Sequence, residues 1–229
     1  MNKLFKMFSV SVLSVLMLLV MVVPASAEED VVSTWYDVDI IGVKRDSILE
    51  ETPNLSEEDI NSILIDYIFS DEFKHDKENR VQARNLYDQY SSLTSAEKDL
   101  VKRYPFQAVT VRKIAQDADR ATVEYYANAP SHEFHNGNAD AYRHCVWNMF
   151  MTIHLSRSEA EMWATAHEQN PNQPQIEKEM DLMNNSVGRS QAPSGGSDVF
   201  YRAKERSKEL ARNGSLTRIS NGVLVRTNS

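Results

Sequence analysis

The sequence predicts an all-α fold, a single multi-helix orthogonal bundle with a small β-hairpin at its C-terminal end. Two observations carry this expectation. Apolar residues recur at helical spacing in run after run, and several runs open on Ser or Thr with an acid three residues later. Against them stands one strand signal, Ser220-Asn221-Gly222-Val223 between apolar-rich stretches, which is the composition of a type I′ turn.

Taken in order, the chain begins with Lys3 and Lys6, then an apolar run from Val10 to Val23 interrupted only by Ser11 and Ser14. Pro24-Ala25-Ser26-Ala27 and the acids Glu28, Glu29 and Asp30 follow. These are the parts of a secretory signal peptide over residues 1–27, cleaved after Ala27. The run is shorter than the ~20 residues a spanning helix needs. With no second apolar stretch, the expectation is a secreted protein in the extracellular or cell-envelope space, with no membrane span after cleavage. Two of the 25 basic residues and none of the 33 acidic ones lie in the leader, leaving 23 against 33, a mature formal charge of −10. That balance argues against nucleic-acid partners, which need basic surfaces. The lone Cys145 can make no internal disulfide.

Residues 28–55 show no helical period and read as an extended N-terminal arm. A helical domain is expected over 56–214. Ser56 to Asp59 opens a helix with Ile60, Ile63, Leu64, Tyr67 and Ile68 inward. A second helix is placed at Glu78–Ser92, with Val81, Leu86, Tyr87 and Tyr90 inward. Thr94 and Glu97 form a capping box for a helix ending before Pro105, and a longer one follows at Phe106–Asn128. After a loop holding His132 and His135, Asn138 is the expected N-cap of a helix to Leu155. Ser158 to Glu161 should cap the next, and Gln175–Val187 should end at Gly188 as a C′ residue. Asp198–Arg212 reads as a charged surface helix, and 215–229 as the hairpin tail.

Two of these helices have unusual polar faces. Opposite the stripe Tyr142, Val146, Met149 and Ile153 lie Asp140, Arg143, His144, Trp147, Asn148 and Met151. Solvated faces are commonly written in Lys, Glu, Gln and Ala, so this polar side should be covered as well. Opposite Ile176, Met180, Met183 and Val187 lie Asp181, Asn184, Asn185 and Gly188, and Gly188 would let another backbone approach. Between them in sequence, Ala160, Trp163, Ala164 and His167 share a face beside Glu168. Buried polar groups need partners, so the three faces should meet at one site.

Residues 140–148 (D-A-Y-R-H-C-V-W-N), 166–168 (A-H-E) and 180–189 (M-D-L-M-N-N-S-V-G-R) resemble the signature of an uncharacterised bacterial domain family. It occurs in exported and polymorphic-toxin-like proteins, and the resemblance covers roughly residues 90–190. It implies an all-α fold but no established activity; a toxin-like role would require a cognate inhibitor protein. Cys145 stands where Ala is expected, a swap that suits a small packed position.

Asp140 and His144, four apart on a helix, can ligate one cation or hydrogen-bond each other. His167, Glu168 and Asp181 could complete the set, with His135 outside it. The cofactor expected is Zn or another divalent metal, activating water to cleave an ester or phosphodiester of a small-molecule or lipid substrate. Asp140, His144 and His167 would serve metal or water activation, Glu168 and Asp181 further ligation or base catalysis, and Arg143 charge stabilisation. Asn148, Asn184, Asn185 and Arg189 are the expected substrate-binding residues. Arg143-His144 also resembles the helical His of secreted phospholipase A2, but Cys145 stands where that family has a calcium-holding Asp. The competing expectations are plainer. Asp140 is a favoured first-turn acid, Arg143 could pair with Asp181, and His144 could be satisfied by Asn184. The module would then be a non-catalytic partner-binding protein with a structural polar network.

Overall fold

The helix Asn138–His154 (α6) is apolar or covered on nearly every side, which places it centrally among the other helices. A computed structural model describes residues 30–81 and 92–229, and around α6 it arranges eight further α-helices. The expected leader over residues 1–27 lies outside the described residues. So does most of the expected Glu78–Ser92 helix; the helix described there is Asp71–Val81 (α3).

The extended arm expected over 28–55 is instead mostly helical. Trp35–Glu51 (α1) is capped by Thr34, with Asp37 returning to the backbone of Ser33 and Thr34 at 2.7 and 2.9 Å. Trp35, Val38, Ile40, Ile41 and Ile48 are buried although they do not form a single stripe. A helix covered from several directions loses the periodicity that betrays a half-exposed one. It packs against Pro105–Tyr125 (α5), where a side chain on Gly42 would meet Val109 Cγ1 at 3.1 Å. Glu57–Ile68 (α2), capped by Ser56, buries Ile60, Leu64, Tyr67 and Ile68 but leaves Ile63 exposed.

Ser95–Arg103 (α4) carries the expected capping box between Thr94 and Glu97. Pro105, placed as a terminator, also starts α5 at the position where a missing N–H costs nothing. A short 3₁₀ turn, Ser131–Phe134, leads into α6, whose N-cap is Gly137 and not Asn138. Arg157–His167 (α7) is capped two residues earlier than expected, by Ser156 with Glu159. Gln175–Gln191 (α8) runs straight through Gly188. That glycine is no C′ residue: a Cβ there would strike the carbonyl oxygen of Cys145 and lie 2.9 Å from Asn148 Cβ. It permits α6 and α8 to cross backbone against backbone, the close approach its residue type suggested.

Val199–Arg212 (α9) ends on a Schellman turn, with Gly214 at φ 77° and Ser215 N–H bonded to Leu210 C=O. The expected hairpin follows as Thr217–Ser220 (β1) and Val223–Arg226 (β2), turned by Asn221 and Gly222 at φ 51° and 76°. No described helix is long and apolar enough to cross a membrane. The chain is all-α with a terminal hairpin.

Candidate functional site

The wheel of α8 is inverted relative to a common amphipathic helix. Asp181, Asn184, Asn185 and Gly188 face the interior, whereas Met183, expected in the apolar stripe, is exposed. On α6, Asp140, His144, Trp147, Asn148 and Met151 are buried as completely as the apolar stripe. These faces meet, and the polar atoms satisfy one another.

His144 sits at the centre. Arg143 Nη2 donates to its Nε2 at 2.9 Å, so Nε2 accepts and Nδ1 carries the proton toward Asn185 Oδ1 at 3.2 Å. Burial and the adjacent Arg143 charge push the imidazole down to about 3, leaving it neutral despite the carboxylates around it. Its Nε2 lies 3.2 Å from Asp181 Oδ1 and 3.6 Å from Asp140 Oδ1; its Nδ1 lies 3.6 Å from Glu168 Oε1.

Asp140 occupies the first turn of α6. Its Oδ2 accepts the Asn136 N–H at 2.7 Å, and its Oδ1 accepts from Arg143 Nη2 at 2.7 Å. Burial alone would raise this carboxyl, but the Arg143 charge and these bonds hold it below the ordinary carboxylate value. Asp181 is the opposite case. Its burial, with Glu168 and Asp140 nearby, pushes it up to about 8. Its Oδ2 accepts from Gln173 Nε2 at 2.8 Å, while its Oδ1 is buried without a hydrogen bond.

Behind this front lies a brace of amides. Asn185 Oδ1 accepts from Asn148 Nδ2 at 2.6 Å, and Asn185 Nδ2 donates to Glu168 Oε1 at 2.9 Å. Arg189 donates to Asn148 Oδ1 at 2.8 Å. Asn184 clamps both backbone groups of Thr217, at 2.8 and 2.9 Å, and so pins the hairpin. Of the four residues expected to bind substrate, none lines the cavity in front of His144. They support the site from behind. Two pairings also differ from expectation: His144 uses Asn185 and not Asn184, and Arg143 uses Asp140 and not Asp181.

His167 belongs to the site but not to the ligand cluster. Its Nδ1 pairs with Glu97 Oε1 at 2.8 Å, and its ring edges onto Trp147 at 5.4 Å between centroids. Burial works against its charge, yet the hydrogen bond and charge of Glu97 outweigh it and raise the imidazole above its ordinary value. Glu97 and Gln173 are residues that sequence reasoning missed. Glu97 was visible only as a capping acid, and its second oxygen does the further work. Gln173 sat in an apparent breaker, where no periodicity could single it out.

In front of these groups opens a cavity of about 410 Å³, lined among others by Glu97, Asp140, Arg143, His144, His167, Glu168, Gln173 and Asp181. His135 and Glu177 stand in its wall, 3.6 Å apart. One ligand atom each from Asp140, His144 and Asp181 lie within 4.8 Å of one another. Donors bonded to one cation at ~2.0–2.2 Å stand about 3–3.5 Å apart, so the 3.2 and 3.6 Å separations suit a shared ion. Asn185 on Nδ1 is the outer partner such a histidine ligand requires.

Other candidates resolve simply. Cys145 is buried against Ser207, and burial pushes its thiol up to about 12, so it is no nucleophile. Trp163 is a packing wall that donates to Gln107. His75, His132 and His154 are exposed.

No curated protein and no solved structure matches the chain. A family model does match, over residues 98–213, a span that contains Asp140, His144, Glu168 and Asp181 and reaches from α4 to the end of α9. With half its length covered by that model, the chain belongs to the family described as a domain of unknown function, DUF6973.

Proposed function

We propose that this protein is a hydrolase of ester or phosphodiester bonds whose water is activated at Asp140, His144 and Asp181. The observation that carries this is Asp181 Oδ1, a buried carboxylate oxygen without a hydrogen bond, 3.2 Å from the accepting Nε2 of His144. Buried polar atoms lacking a partner are rare, and one beside two further ligand atoms suits a divalent cation such as Zn²⁺. Bound there, the cation would supply Lewis acidity and a lowered water pKa. The charge balance agrees. Five carboxylates and one guanidinium line the cavity, so an anionic substrate needs added positive charge to enter.

The chain's own groups then take separate roles. Glu168, fixed by Asn185 and Gln173, accepts the proton of the attacking water. His167, whose hold on its proton is strengthened by Glu97, donates to the leaving oxygen. The setting we propose is outside the cytoplasm, after removal of residues 1–27, because the basic start, apolar run and Ala25-Ser26-Ala27 have the form of a cleaved leader.

Protein purified without a histidine tag should retain close to one equivalent of divalent metal by elemental analysis. It should hydrolyse a member of a phospholipid, nucleotide and aryl-ester panel, with activity lost on chelation. Absence of both bound metal and chelator-sensitive turnover overturns the reading. A second reading, a non-catalytic module, draws on the amide brace, which by itself fixes the register of α6 against α8. There His144→Ala would lower the melting temperature and abolish no turnover.

A further inference from the structure

Arg143 stands where the proposed cation would have to act. Its Nη2 bonds Asp140 Oδ1 at 2.7 Å and contacts His144 Nε2 at 2.9 Å, two of the three proposed ligand atoms. Those two atoms are 3.6 Å apart. An ion bonded to both at ~2.1 Å lies at most about 3.2 Å from this nitrogen, whichever side it takes. That distance allows no water between them and sets a divalent charge against a guanidinium. Both cannot occupy these atoms together.

The side chain has somewhere to go. It is 35% exposed, and it lines a second cavity of about 180 Å³ as well as the first. That second cavity is walled by Trp147 and by Trp35, whose ring already carries the Arg112 guanidinium at 6.0 Å. It contains Asp119 of α5, which makes no hydrogen bond or ion pair among the described residues. Arg112, also in this wall, is engaged with Asp39 at 3.1 Å. We propose that Arg143 is the resident counter-cation of the ion-free site and that cation binding displaces it onto Asp119. The inference rests on the metal reading above and assigns its regulation: the protein guards an acidic site with its own cation until a stronger one arrives.

Calorimetric titration of chelator-stripped, tag-free protein with Zn²⁺ alone and Mn²⁺ alone tests it. Circular dichroism melts would confirm that the variants remain folded. Arg143→Gln should bind the preferred ion at least about tenfold more tightly than the parent, since the competitor is gone. Asp119→Asn should weaken binding severalfold in the parent background and leave it unchanged in Arg143→Gln. If the parent binds an ion and Arg143→Gln binds it no better, displacement is overturned while the metal reading stands. Equal weakening by Asp119→Asn in both backgrounds overturns Asp119 as the destination. Failure of parent and Arg143→Gln alike to bind either ion removes the metal site, and this inference with it.

Discussion

The protein makes two close helix crossings through a glycine, and they are built from opposite materials. At α1–α5, Gly42 lies against the Val109 methyls in an apolar crossing, with the Arg112–Asp39 ion pair beside it. At α6–α8, Gly188 lies against the Cys145 carbonyl, and around it are Asn148, Asn185, Arg189 and His144. The first crossing is held mainly by area removed from water and can relax through side-chain movement. The second is held by directed bonds between groups costly to leave unpaired. Small residues therefore bring helices together for different ends: one pair to close a core, the other to aim a site.

The largest effect should come from placing a methyl group at each glycine. Gly188→Ala drives its Cβ into backbone, and urea unfolding should show a loss of about 3 kcal/mol. Gly42→Ala meets only a Val109 methyl at 3.1 Å, and the helix-propensity gain of about 1 kcal/mol should leave it near neutral. Equal costs would break the comparison.

Next in size is Asn185→Ala, which strips a partner from Asn148, His144 and Glu168 at once. A loss of about 2–3 kcal/mol is expected. Ile114→Val in the apolar core should cost only about 1 kcal/mol by the same measurement.

The smallest effect is a pH dependence confined to the polar interface. Asp181 is raised to about 8, so the folded state holds a proton the unfolded chain has released, and stability falls as pH rises toward 8. His144 is lowered to about 3, so its contribution runs the other way, stability rising with pH up to the ordinary imidazole value of 6.5. Asp140 and Arg143 on α6, His167 at the end of α7 and Glu168 just beyond it are the charged groups facing this pair. The two slopes oppose one another below pH 6.5, leaving a net loss on the order of 1 kcal/mol between pH 6.5 and 8 in ion-free protein. Denaturant curves at both values should show it, and Asp181→Asn should remove it. A flat profile in the parent would place Asp181 in its ordinary charged state. Cation binding should strengthen over the same interval, as the carboxyl must release its proton to ligate.

Much of the site was legible because it announced itself as a local oddity. Trp147 and Met151 among Asp, His and Asn cannot be a solvated face, and α6 is indeed covered nearly all round. Residues 28–55 failed for the complementary reason: α1 is buried from several directions, so its hydrophobic residues carry no single-stripe period. Gly188 was read both as a helix end and as a point of close approach, and the second held because α6 passes over it. Glu97 and Gln173 were out of reach, one concealed by a genuine capping role and the other by a loop.

What the sequence determined alone is what short range decides: the caps at Ser56 and Thr94, the Asn221-Gly222 turn, and the placement of Asp140 and His144 one helical turn apart. Each depends on residues within four positions of one another. Tertiary structure decided which polar groups meet: His167 with Glu97, Asn184 with Thr217, Asn185 with His144. Such pairings depend on how far each helix is rotated about its axis against its neighbour. That angle comes from packing across the whole interface, where Gly188 lets two backbones touch, and it is written in no single stretch of chain.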